Sequence, residues 1–142
     1  LRCSLHFMRK LILKKMQIKN IYITEENHFS TLLREWSDRM DVQVIPVESN
    51  DNDLYKKVQG IVIFHENHDI SKDAEEISKD LDKSNIATHK VDINGTVTAT
   101  VTNLNMWIER NSCDNILVLG EKTLGKNENL HRFLEKLEAS YK

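Results

Sequence analysis

The sequence predicts an α/β protein: a flavodoxin-like three-layer sandwich in which a five-stranded parallel sheet carries helices on both faces. Three observations lead there. Short β-branched runs alternate with segments whose apolar residues recur every three or four positions, the periods of buried strands and one-sided helices. A length of 142 residues suits one domain and suffices to bury a core between a sheet and its helices. The chain also nearly repeats itself, since Ile21-Tyr-Ile-Thr-Glu-Glu-Asn-His28 returns forty residues later as Ile61-Val-Ile-Phe-His-Glu-Asn-His68.

Ile18 to Thr24 reads as the first strand, after which Phe29, Leu32, Leu33, Trp36 and Met40 share one helix face. Val42 to Val47 reads as the second strand. Glu48 to Val58 is polar, with Leu54, Tyr55 and Val58 its only apolar anchors, so a loop with one or two helical turns is expected. Gln59-Gly60 leads into the third strand, and Ile70, Ala74, Ile77 and Leu81 form the next helical stripe, with Asp69 or Ser71 placed to cap it. Ile86 to Ile93 is the fourth strand, Asn115 to Leu119 the fifth, and Leu130, Phe133, Leu134 and Leu137 mark a closing helix.

Between the fourth and fifth strands two readings compete. Asn94-Gly95 between alternating runs signals a β-hairpin, whereas Val97, Val101, Leu104 and Ile108 continue a helical stripe. The helix is preferred because it preserves the strand-helix alternation and its crossovers. Strand order 2-1-3-4-5 is the usual solution for such a chain and would set strands one and three side by side.

Charge is unevenly distributed. Residues 1–24 hold six of the twenty Lys and Arg (Arg2, Arg9, Lys10, Lys14, Lys15, Lys19), and all 22 acids follow. Residues 1–15 read as a basic leader, disordered or foreign to the native protein, ahead of a single α/β domain at 16–142. Arg9 and Lys10 interrupt the leader's apolar stretch, which excludes a signal peptide, and no window reaches the roughly 18 apolar residues of a membrane span. Two cysteines, Cys3 and Cys113, make no disulfide framework. A cytoplasmic location follows as the expectation. The negative body, lacking a basic groove, argues against nucleic acid.

With strands one and three adjacent, both Glu-Asn-His loops would meet at the carboxyl edge of the sheet, where open α/β sheets bind ligands. Glu25, Glu26, His28, His65, Glu66, His68 and Asp69 would crowd one crevice. Imidazole and carboxylate suit a divalent metal, and His28, Glu66 and His68 are the candidate ligands. Against this, Asn27, His28, Asp69 and Ser71 can equally serve to end strands and cap helices. Gly120-Glu-Lys-Thr-Leu-Gly-Lys-Asn127 approaches a phosphate-binding loop but ends in Asn127, without the metal-holding hydroxyl. It leaves Gly120 and Lys122 as candidates for a small anionic ligand.

From Met16 onward the chain resembles a response-regulator receiver in its strand-helix order, with Glu25-Glu26 at the family's acidic pair and Lys122 at the lysine after strand five. Phe64-His65 stands where receivers carry the phospho-acceptor aspartate. Residues 60–135 resemble part of a TIR domain, through Ile61-Val-Ile-Phe-His-Glu-Asn-His-Asp69, Val91-Asp-Ile-Asn-Gly95 and Ile116-Leu-Val-Leu-Gly-Glu-Lys-Thr-Leu124. His131-Arg132 stands where that family places its NAD-cleaving glutamate. Both resemblances imply a flavodoxin-like sheet and signalling through protein contact. The expectation is therefore a receiver-like or TIR-like interaction module with a degenerate active site, homodimeric or bound to a protein partner. The alternative is a metal- or nucleotide-binding enzyme using the crevice between the Glu26–His28 and His65–Asp69 loops.

Overall fold

A computed structural model describes residues 16–67 and 70–141; the leader of residues 1–15, with Cys3, and the pair His68 and Asp69 lie outside the described residues. Five strands, β1 (Asn20–Ile23), β2 (Gln43–Pro46), β3 (Gly60–His65), β4 (Ala87–Asp92) and β5 (Asn115–Gly120), alternate with helices. These are α1 (His28–Arg39), α2 (Leu54–Lys57), α3 (Lys72–Asp82), α4 (Val97–Arg110) and α5 (Glu128–Ala139), with a 3-10 turn at Lys122–Lys126. All strand pairs are parallel. The class is the expected one, a flavodoxin-like three-layer α/β sandwich.

The strand order is β2-β1-β5-β3-β4, not 2-1-3-4-5, and the reason lies in composition. A central strand is covered by helices on both faces and must be apolar on both. Ile116, Leu117, Val118 and Leu119 of β5 are all buried, whereas β4 carries the half-exposed Thr88 and His89 and the exposed Lys90. The fifth strand therefore enters the middle and the fourth takes an edge. Backbone bonds hold β5 from both sides, with Lys19 N donating to Asp114 O at 2.7 Å and Gln59 N to Asn115 O at 2.9 Å.

One face of the sheet (Ile21, Ile23, Val62, Phe64, Val91, Ile116, Val118) packs against α1, α4 and α5. Phe29, Phe64 and Phe133 form a ring series there with centroids 5.5 Å apart at each step. Trp36 is buried among these helices and donates from Nε1 to Leu134 O at 3.0 Å; both tryptophans belong to the core. The other face (Ile61, Ile63, Leu117, Leu119) is covered by α3 and the single turn of α2.

The Asn94-Gly95 ambiguity resolves as a strand-to-helix turn. Residues 97–110 are helical because Val101, Leu104, Trp107 and Ile108 bury one stripe against the larger core. Cys113 is fully buried, and burial together with the Asp114 charge pushes its thiol up to about 11. It is a packing residue, inert as a nucleophile at neutral pH.

Candidate functional site

Insertion of β5 separates the loops after β1 and β3 by two strand spacings, about 9.5 Å. The two Glu-Asn-His segments, despite their likeness, differ at the asparagine. Asn27 is the extended N-cap of α1 and forms a capping box: Ser30 N donates to Asn27 Oδ1 at 3.0 Å and Asn27 N to Ser30 Oγ at 2.7 Å. Asn67 instead takes a left-handed conformation, φ 48°, and α3 starts later, with Ser71 Oγ accepting from Ala74 N at 3.1 Å.

Of the residues expected in one crevice, His68 and Asp69 lie outside the described residues and the others take separate positions. Glu26 is exposed and paired with Arg34. His28, the first residue of α1, lies over the 3-10 turn, where a Cβ on Gly125 would sit 2.7 Å from its Cγ. His65 is buried in β3, in register with Asp92 of β4, and Glu66 follows it, half-buried. Among the described residues no three His, Cys, Asp or Glu side chains come together as a metal site; His68 lies outside them. Lys122 and Lys126 are exposed on the 3-10 turn. Both glycines of the phosphate-loop-like segment serve packing. A Cβ on Gly120 would stand 2.6 Å from Phe29 Cε2, so Gly120 and Gly125 let the start of α1 lie directly on the end of β5 and the turn beyond it.

A different crevice, of about 370 Å³, opens at the carboxyl edge of β1, β5 and β3. Its floor is apolar, from Ile63, Val118, Leu119, Ile70 and Ile77. Its rim carries Thr24, Glu25, Asn27 and Ser30 from the β1 side, Ser49 and Asn50 after β2, and Glu121 after β5. The opposite wall is α3, which presents Asp73, Glu76 and Asp80. Of the expected site residues, Glu25 and Gly120 line this crevice. Every charged side chain among its described lining residues is a carboxylate. The two helix N-termini at its mouth are capped by their own side chains, which weakens their pull on an external anion.

Sequence reasoning missed the α3 wall. Asp73, Glu76 and Asp80 are spaced i, i+3, i+7 and so form a row beside the apolar stripe of the same helix. That spacing showed one acidic face of the helix; its place beside the crevice comes from the fold.

No protein-family model matches the chain, and no curated protein matches it. Among solved structures, it is similar to the crystal structure of a "putative molybdenum carrier protein" from Syntrophus aciditrophicus SB, with a TM-score of 0.63. The two share 10% sequence identity over 88% of this chain and 95% of the other, a likeness of fold. Among the described residues, no helix is long and apolar enough to cross a membrane.

Proposed function

We propose that the chain is a ligand-binding domain whose carboxyl-edge crevice takes a small molecule that is neutral or cationic, rich in hydrogen-bond donors, and apolar on one face. The observation that carries this reading is the lining: carboxylates, hydroxyls and amides around an apolar floor, in a volume within the usual range of ligand sites. The position supports it, since open α/β sheets bind at the carboxyl ends of their strands. A nucleoside, a sugar or an amine meets these demands. Phosphate esters and oxyanions do not, because they would face Glu25, Glu121 and the acidic row of α3. Molybdenum carriage, suggested by the structural neighbour's name, is disfavoured for an oxyanion by the same lining.

The test is a thermal-shift comparison of nucleosides, sugars and amines with their phosphorylated counterparts, on the native chain and on a Glu76→Gln/Asp80→Asn variant. A ligand at a hundred times its Kd stabilises by about 2.7 kcal/mol. Stabilisation by uncharged or cationic compounds, lost in the variant, is expected. Stabilisation by anions alone, or one indifferent to the variant, would sink the reading.

A second reading, the receiver-like or TIR-like signalling module of the cytoplasm, is favoured by Phe64-His65 standing where receivers carry the phospho-acceptor aspartate, which suits a degenerate active site. It predicts a homodimer or a protein partner. Sedimentation at rising concentration checks the first of these, and a monomer throughout removes the homodimer.

A further inference from the structure

At the carboxyl ends of β3 and β4, one side chain links three segments of the chain. Asn94 Nδ2 donates to Asn67 Oδ1 at 3.2 Å, tying the β4–α4 turn to the segment after β3. Its Oδ1 accepts from Asn129 Nδ2 at 2.9 Å and from Asn127 Nδ2 at 3.3 Å, tying the same turn to the start of α5. The next residue is Gly95, which carries no Cβ to shield its nitrogen. A Cβ there would lie 3.2 Å from Asp92 O and 3.3 Å from Thr100 Oγ1, a tight fit that glycine avoids. An Asn-Gly step is the one in which a backbone nitrogen most readily reaches the preceding side-chain amide. The fold occupies both reactants: Gly95 N donates to Asp92 O at 3.1 Å, and the Asn94 amide is held by its three partners.

We propose that Asn94-Gly95 is a conditional deamidation site, latched by the Asn67–Asn94–Asn127–Asn129 cluster and released when this edge opens. The Gly95 nitrogen attacks Asn94 Cγ and loses its proton; the bond from Cγ to the amide nitrogen breaks, and ammonia leaves. Water then opens the five-membered imide at either carbonyl, giving aspartate or isoaspartate. No oxidant or reductant takes part. A carboxylate at 94 still accepts from Asn127 and Asn129 but no longer donates to Asn67 Oδ1, so the contact with Asn67 re-forms only if the Asn67 amide turns to donate from Nδ2. The product also adds a negative charge to this edge, and isoaspartate adds a backbone atom to the turn entering α4. A local opening is thereby recorded as a covalent change.

The full chain, Asn67→Ala, Asn129→Ala and the urea-unfolded native chain are incubated at mildly alkaline pH. Amide-to-acid conversion in the peptide holding residues 94 and 95 is followed by mass spectrometry, and circular dichroism verifies that both variants remain folded. The native chain should convert slowest and the unfolded chain fastest. Each folded variant should convert roughly two- to ten-fold faster than native, the factor for losing one hydrogen bond from the closed state. Asn94→Gln, whose longer side chain disfavours the five-membered imide, should abolish the signal. A native rate equal to the unfolded rate, or variants no faster than native, would overturn the proposal.

Discussion

Asp41, Asn85 and Ser112 occupy equivalent positions at three helix ends, with φ of 58°, 63° and 50°. In each case the next residue's N–H returns to a carbonyl five positions back: Val42 to Ser37, Ile86 to Leu81, Cys113 to Ile108. These are Schellman closures, each followed by a buried side chain entering a strand. Asn and Asp tolerate the left-handed region, but serine does so at a cost. Ser112→Gly should therefore raise stability by about 0.5–1 kcal/mol, and Asn85→Gly by less, in urea unfolding. Ser37 Oγ is buried and unpartnered among the described residues, so Ser37→Ala should gain about 1 kcal/mol, seen as a melting point roughly 3–5 °C higher. Gly60 offers the opposite case. A Cβ there would press on Trp107, 2.9 Å from Cζ2, and Gly60→Ala should cost about 1–3 kcal/mol in the same assay.

Helix α1 shows how a short local signal can set an element and still mislead about a site. Its capping box at Asn27 and Ser30 fixes the start of the helix, which places Phe29 over Gly120 and His28 over Gly125. Asn27→Ala should lower stability by about 1 kcal/mol and, because Asn27 also lines the crevice, weaken any ligand-induced thermal shift. The strand-helix alternation was legible, down to α4, because each buried stripe repeats with its element's own period. The likeness of the two Glu-Asn-His segments was legible too, but not its meaning. One asparagine caps a helix and the other sits at positive φ, and only the residues that follow, Phe29-Ser30 in one case and Ile70-Ser71 in the other, separate the two outcomes.

At the scale of the whole molecule, placing the last strand in the middle decides where the crevice forms. The apolar character of β5 and the polar character of β4 were both visible in the sequence, yet the commoner order prevailed over them in the sequence-based expectation. The expected His-Glu crevice was drawn from that order; of the expected site residues Glu25 and Gly120 line the crevice at the carboxyl edge, and His68 and Asp69 lie outside the described residues. The edge position of β4 also has an acid-side consequence. His89 stacks on Trp107 with centroids 5.4 Å apart, and burial lowers its pKa from the ordinary 6.5. The unfolded chain thus takes up a proton that the folded chain resists. Stability should fall as pH drops below about 6.5, and His89→Gln should flatten that part of the melting-temperature profile.

Because β1 pairs only with β2 and β5, and β3 only with β4 and β5, the sheet consists of two ribbons joined by a single late strand. A chain emerging from the ribosome cannot join the two halves of the sheet until residues 115–120 have been synthesised. Completion of the native sheet therefore waits on β5, which alone pairs with both halves. It follows that a fragment ending at residue 111 should stay unclosed and prone to aggregate. Supplying residues 113–142 as a separate peptide should restore the cooperative unfolding transition, which makes the α4–β5 turn a natural place to split the molecule.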